Sequence, residues 1–146
     1  MSTNDVRVAI YRSFVDRGRA PLPHEIAASL GIGVREVESS LEELASDDVL
    51  VLLPGTHLVW LAHPFSAATS PFRVTSGDRT WDAICIWDAL GILAVAGVDG
   101  DVTTACPDCG SPLEVLVRGG EVEAPAEYLV HYGVPAARWY EDVGYT

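Results

Sequence analysis

The segment 82–95, DAICIWDALGILAV, constrains this chain more than any other stretch. Wound as a helix it is apolar on nearly every side, so it is expected to lie deep in a fold. It is far shorter than the roughly 20 apolar residues that a bilayer-spanning helix needs, and no other apolar run approaches that length. Protein must therefore cover it. With 49% of its residues apolar, the 146-residue chain can supply that cover. Its length suits one domain or two small ones sharing a core.

Upstream, the periodicity is helical. Val6, Ile10 and Phe14 share one face of a helix over 4–17, which Gly18 stops. Pro21 and Pro23 precede a short helix from His24 to Leu30, ended by Gly31. Val34, Val37, Leu41 and Leu44 form the stripe of a third helix over 34–46, closed by Asp47 and Asp48. Val49–Leu53, the Pro54-Gly55 turn and His57–Ala62 then read as a hairpin. Three helices and a hairpin is the winged-helix order, so residues 1–64 are expected to form an N-terminal winged-helix-like domain. Residues 63–71, rich in Pro, Ser and Ala, read as a linker.

Residues 65–146 read as a second domain. Phe72–Val74 and Arg79–Trp81 flank a Ser76-Gly77-Asp78 turn. The apolar helix over 82–95 follows, and then strands at Val102–Ala105 and Leu113–Val117 around a tight CPDCG turn. Gly119-Gly120 marks another turn. Tyr128–Tyr132 is expected to be a short strand and Pro135–Asp142 a closing helix. The fold class is therefore α+β: a three-helix unit with a hairpin, joined to a small antiparallel-sheet domain with a central apolar helix. The aromatics Trp81, Trp87, Trp139, Tyr128, Tyr132 and Tyr140 are expected in the core.

Charge narrows the partners. The formal net charge is −12 and there is no lysine. The net is −4 over residues 1–64 and −8 over 65–146. Nucleic-acid binding needs a basic face to displace condensed counterions. The third helix, where a winged helix would read DNA, carries one arginine against an excess of acids. It reads better as a packing or dimerisation unit, which allows a homodimer. The N-terminus lacks a basic stretch followed by a long apolar run, so no signal peptide is read and a cytoplasmic location is expected.

The three cysteines carry the chemistry. An odd number without a signal peptide argues against a disulfide framework and for reduced thiols. Cys85 and Asp88, three apart in a helix, would share one face among Ile84, Ile86, Trp87, Leu90 and Ile92. A carboxyl buried there is costly without a partner and should hold its proton, ready to exchange it with the thiol. The plainer alternative is a cysteine that packs and an aspartate that reaches solvent or caps a helix. Cys106-Pro107-Asp108-Cys109-Gly110 is a knuckle of the kind found in zinc sites, although no second CxxC completes it. Candidate further ligands are Cys85, Asp88, His24, His57, His63 and His131. A redox pair or two free thiols at a turn are the alternatives. His131 stands apart from the other histidines because it lies in the strand expected to close the site.

The stretches RTWDAICIWDALGILAVAG (79–97), VTTACPDCGSPLEV (102–115) and VHYGVPAARWYED (130–142) resemble the organomercurial (alkylmercury) lyases. The resemblance implies a winged-helix-like N-terminal part, a hairpin, a helix bearing Cys-x-x-Asp, and a strand ending in a cysteine turn. It implies that Cys85 is a thiolate that attacks mercury and that Asp88 moves protons and contacts the metal. It implies an enzyme that needs no cofactor and takes a small organometallic substrate. The family's second catalytic cysteine, expected just before the histidine of the closing strand, is missing: residues 127–131 read EYLVH. Cys106 or Cys109 would have to replace it. Mercury(II) is soft and prefers two thiolates. Cleaving a carbon–mercury bond also needs an acid to protonate the leaving carbon. Two readings from other classes stay open. In one, Cys85, Cys106 and Cys109 hold zinc, copper or mercury in a non-catalytic metal-binding or metal-sensing protein, with Asp88 a further candidate metal ligand. In the other, a lyase-like scaffold serves a different small-molecule reaction.

Overall fold

The computed structural model describes residues 2–142. Three helices open the chain: α1 (Thr3–Arg17), α2 (Pro23–Leu30) and α3 (Val34–Ser46). Their expected stripes are the faces that are buried. Val6, Ile10 and Phe14 on α1 and Val37, Leu41 and Leu44 on α3 join one core. Gly18 ends α1 in the left-handed conformation, with its N–H donating to Phe14 O at 2.9 Å. Glycine is required there twice over. The φ of 68° disfavours a side chain, and a Cβ would stand 2.7 Å from Thr80 O.

The strands are β1 (Val51–Leu52), β2 (Val59–Ala62), β3 (Phe65–Ser66), β4 (Phe72–Ser76), β5 (Arg79–Ala83), β6 (Gly100–Ala105), β7 (Pro112–Arg118) and β8 (Glu121–Glu123). They make one antiparallel sheet in the order β1-β2-β3-β5-β4-β6-β7-β8. The helix α4 (Ile86–Ala96) lies between β5 and β6 in sequence and packs on β3, β4, β5 and β6. The α+β class is as expected. Among the described residues no helix is long and apolar enough to cross a membrane.

Several expectations change. The stretch 63–71 is no linker, because β3 sits inside it and joins β2 to β5. Phe65 is buried and stacks on Phe14 with centroids 5.1 Å apart. The serines that suggested a solvated connector bond to backbone instead: Ser66 Oγ donates to Ala68 O, and Ser70 Oγ to Ala83 O. The sheet thus continues across residue 64.

The central helix starts at Ile86 rather than 82, since Asp82 and Ala83 still belong to β5. Nor is it covered on all sides. Ala89, Ile92 and Leu93 are buried, but Trp87 is 64% exposed. Residues 128–132 form no strand, and the last strand is β8, which follows directly on the Gly119-Gly120 turn. The closing helix is a 3-10 turn, Ala136–Glu141. Of the aromatics expected in the core, Trp81 is buried and its Nε1 donates to Phe14 O at 2.7 Å. Trp87 and Tyr132 are exposed, and Trp139 and Tyr128 are half-buried. The side chain of Tyr140 lies outside what is described.

Candidate functional site

Cys85 is the N-cap of α4, not a residue within it. Its backbone is extended (φ −150°, ψ 172°) where β5 gives way to the helix. Its Sγ accepts from the Asp88 N–H at 3.4 Å, the place a serine or aspartate oxygen usually fills. Cys85 and Asp88 are therefore neighbours through a cap rather than through a shared helix face. The thiol is half-buried. Burial pushes its pKa up, the Asp88 N–H works the other way, and the Asp88 charge adds to the rise.

Asp88 stands in the first turn of α4 with its side chain 14% exposed, and its partner is His63. His63 Nδ1 lies 3.1 Å from Asp88 Oδ2; with Nδ1 protonated, the ring donates to the carboxylate. The histidine belongs to the loop between β2 and β3. Tyr11 OH donates to His63 O at 2.9 Å and so ties that loop to α1. On the other side Pro64 packs on α4 at Gly91, where a Cβ would stand 3.1 Å from Pro64 Cβ. A glycine inside a helix costs stability. Here it lets the His63–Pro64 loop approach the helix that carries Asp88. The sequence offered no signal for this pairing beyond His63 being one of four candidate histidines, because the contact spans 25 positions and no periodicity relates the two residues.

Cys106 and Cys109 form a second pair. Cys106 N donates to Ser111 O, and Gly110 N donates back to Cys106 O, both at 2.8 Å. Gly110 has a φ of 72°, which closes the knuckle. Cys109 is exposed, and its Sγ donates to Ser111 Oγ at 3.2 Å. Hydrogen bonds from the Ser111 side chain, the Ser111 backbone and the Cys106 thiol pull the Cys109 pKa down. All three cysteines are free thiols.

Strand register relates the two pairs. Phe72 pairs with Ala83, and Arg73 pairs with both Asp82 and Thr103. One step further along, Thr104 shares the row of Phe72 and Ala83. Cys85 and Cys106 each lie two residues beyond that row, at the same end of the sheet, with β4 between their strands. Two strand spacings put the backbones of Ala83 and Thr104 in that row about 10 Å apart. Thr104 Oγ1, in the same row, is buried without a hydrogen-bond partner, alone in this among the buried side-chain polar atoms of the described residues. The expected four-ligand set of Cys85, Asp88, Cys106 and Cys109 thus divides into two pairs. Among the described residues no three or more His, Cys, Asp or Glu side chains converge as a metal site. His131 is exposed and joins neither pair. Two surface grooves run along α1, and neither includes Cys85, Asp88 or the knuckle.

Comparison with known proteins identifies the family and the fold. The family model described as MerB, alkylmercury lyase, matches residues 65–146. A solved structure, the crystal structure of the mercury-bound form of MerB2, is similar with a TM-score of 0.63 and 25% sequence identity. The similarity covers 80% of this chain and 58% of that one, so the chain spans little more than half the length of that relative. No curated protein matches.

Proposed function

The chain belongs to the alkylmercury lyase family, and from that premise we propose that it cleaves a carbon–mercury bond by protonolysis, with Cys85 capturing the metal and Asp88 delivering the proton. The observation that carries this reading is the capped first turn of α4, which sets a free thiol beside a largely buried carboxyl.

The steps balance as follows. Cys85 displaces X⁻ from R–Hg–X while the Asp88 carboxylate takes the thiol proton, giving R–Hg–S–Cys85, because mercury prefers the thiolate to a harder ligand. Asp88 then gives that proton to carbon. The electron pair of the carbon–mercury bond becomes the new carbon–hydrogen bond, and R–H leaves. Mercury(II) stays on Cys85 with an external thiolate as its second ligand, in place of the cysteine absent from residues 127–131. His63 is a positioning residue in this scheme. Its Nδ1–H holds Oδ2, leaving Oδ1 to carry the transferred proton. The substrate is a small organomercurial, and no cofactor enters any step.

Hydrocarbon release from a simple arylmercury compound, with excess external thiol and gas-chromatographic detection, tests the reading. Wild type should release hydrocarbon slowly. Cys85→Ser should release none above background. Asp88→Ala should still bind the metal but release more slowly. Equal release by wild type and Cys85→Ser would discard the lyase reading in favour of a non-catalytic thiol metal-binding protein.

A further inference from the structure

The Cys106–Cys109 knuckle has no part in the scheme above, yet it is built as a ligand pair. We propose that Cys106 and Cys109 form a separate two-thiolate station for Hg(II), set beside the Cys85 site to take up the inorganic mercury that the reaction leaves. The uptake half rests on the geometry of the knuckle alone; the delivery half rests on the lyase reading.

Three observations point to it. First, the two thiols share one tight turn and are free: the turn is closed by Cys106 N to Ser111 O and Gly110 N to Cys106 O. Hg(II) favours two soft sulfur ligands, whereas structural zinc takes four, and no third ligand converges on this turn among the described residues. Second, Cys109 is exposed, so the pair is open to an arriving ion or complex. Third, the register sets the knuckle at the same end of the sheet as Cys85, one strand away. Two strand spacings, about 10 Å between backbones, are short for a diffusing carrier.

The transfer needs one co-reactant, an external monothiol RSH. Mercury leaves Cys85 as Cys85–S–Hg–SR + RSH → Cys85–SH + Hg(SR)₂. The station then takes it as Hg(SR)₂ + two Cys–SH → Cys106–S–Hg–S–Cys109 + two RSH. Mercury stays in the +2 state and every proton is accounted for. The second step is favoured because the two protein thiols are held at an effective concentration in the millimolar range or above, against independent monothiols.

The full-length Cys85→Ser chain, in which serine keeps the α4 cap, should be loaded with mercuric chloride in excess monothiol, desalted and assayed for bound mercury. It should retain about one mercury per chain, and Cys106 and Cys109 should be protected from alkylation in peptide mass spectra. Adding Cys106→Ser or Cys109→Ser should lower retention at least about tenfold. Both substitutions lie in a surface turn, and the helical circular dichroism of each variant verifies its fold. The proposal is overturned if Cys85→Ser retains no mercury, or if the added substitutions change nothing. A second arm feeds wild type an arylmercury compound and maps the mercury afterwards. Hydrocarbon release with mercury found only on Cys85 would overturn delivery. Retention from mercuric chloride without any hydrocarbon release would sink the lyase reading and leave the station standing.

Discussion

Replacing Cys85 by serine should separate what this position does chemically from what it does for the fold. Cys85 caps α4, and its sulfur accepts the Asp88 N–H at 3.4 Å. Sulfur is a weak acceptor, so the thiol satisfies that N–H only in part. Serine is among the best N-caps, and exchanging a good cap for alanine typically costs about 1 kcal/mol. The thiol already recovers some of this, and the smaller oxygen packs slightly less well against the half-buried surroundings. The net change for Cys85→Ser is therefore between about 0 and 1 kcal/mol of stabilisation, a rise of at most about 2–4 °C in Tm for a chain of this size. Cys85→Ala loses the acceptor altogether and should melt a few degrees lower, by about 0.5–1 kcal/mol. Both variants should lose hydrocarbon release, since neither offers an ionisable soft ligand at position 85. Thermal unfolding of the three proteins by circular dichroism reads the stability side, and hydrocarbon release reads the chemistry. If Cys85→Ser unfolds several degrees below wild type, Cys85 is a packing residue rather than a cap. Its loss of turnover would then say nothing about catalysis.

Three further outcomes are expected. His63→Ala should lower kcat by about fivefold to tenfold, the equivalent of one partly exposed hydrogen bond, with KM little changed; His63→Asn, which can offer an N–H to Asp88, should recover most of it, and identical kinetics in all three proteins would remove His63 from the scheme. Because burial holds the Cys85 thiol above its ordinary value of about 8.5, organomercurial capture should climb with pH through neutrality and beyond that value; the same raised pKa adds stability that is full below the unfolded-state value and is lost as pH rises through the folded one, and a capture rate that levels off below pH 8 would contradict it. Gly100→Ala should destabilise by about 1–3 kcal/mol, because the new Cβ would stand 2.5 Å from Thr75 O and 2.6 Å from Leu93 Cδ2; urea unfolding with an unchanged midpoint would show that β6 and α4 can separate at no cost.

Local physics wrote much of this protein into its sequence. The three N-terminal helices could be read because each needs only its own apolar stripe and its own stop signals, and Gly18 and Gly31 end α1 and α2 in the left-handed conformation. The hairpin turns, β6, β7 and the CPDCG knuckle could be read for the same reason: alternation and turn residues act within a few positions. Cys85-x-x-Asp88 could be read as a pair, but its geometry could not. A run of apolar residues does not reveal where a strand stops and a helix begins, and that boundary turned Cys85 from a helix-face residue into a cap. β3 was hidden because two residues carry no period, and Phe65 is held by stacking on Phe14, which lies on α1 about fifty positions earlier. The exposure of Trp87 is not legible in the sequence, because hydrophobicity measures a tendency to be buried, while burial itself depends on what packs against that side of the helix. Only the tertiary structure decided that His63 meets Asp88, that Gly91 makes room for the loop carrying it, and that the two thiol sites stand one strand apart. Each of those facts depends on strand order and helix docking, which follow from the simultaneous burial of many side chains rather than from any short stretch of chain.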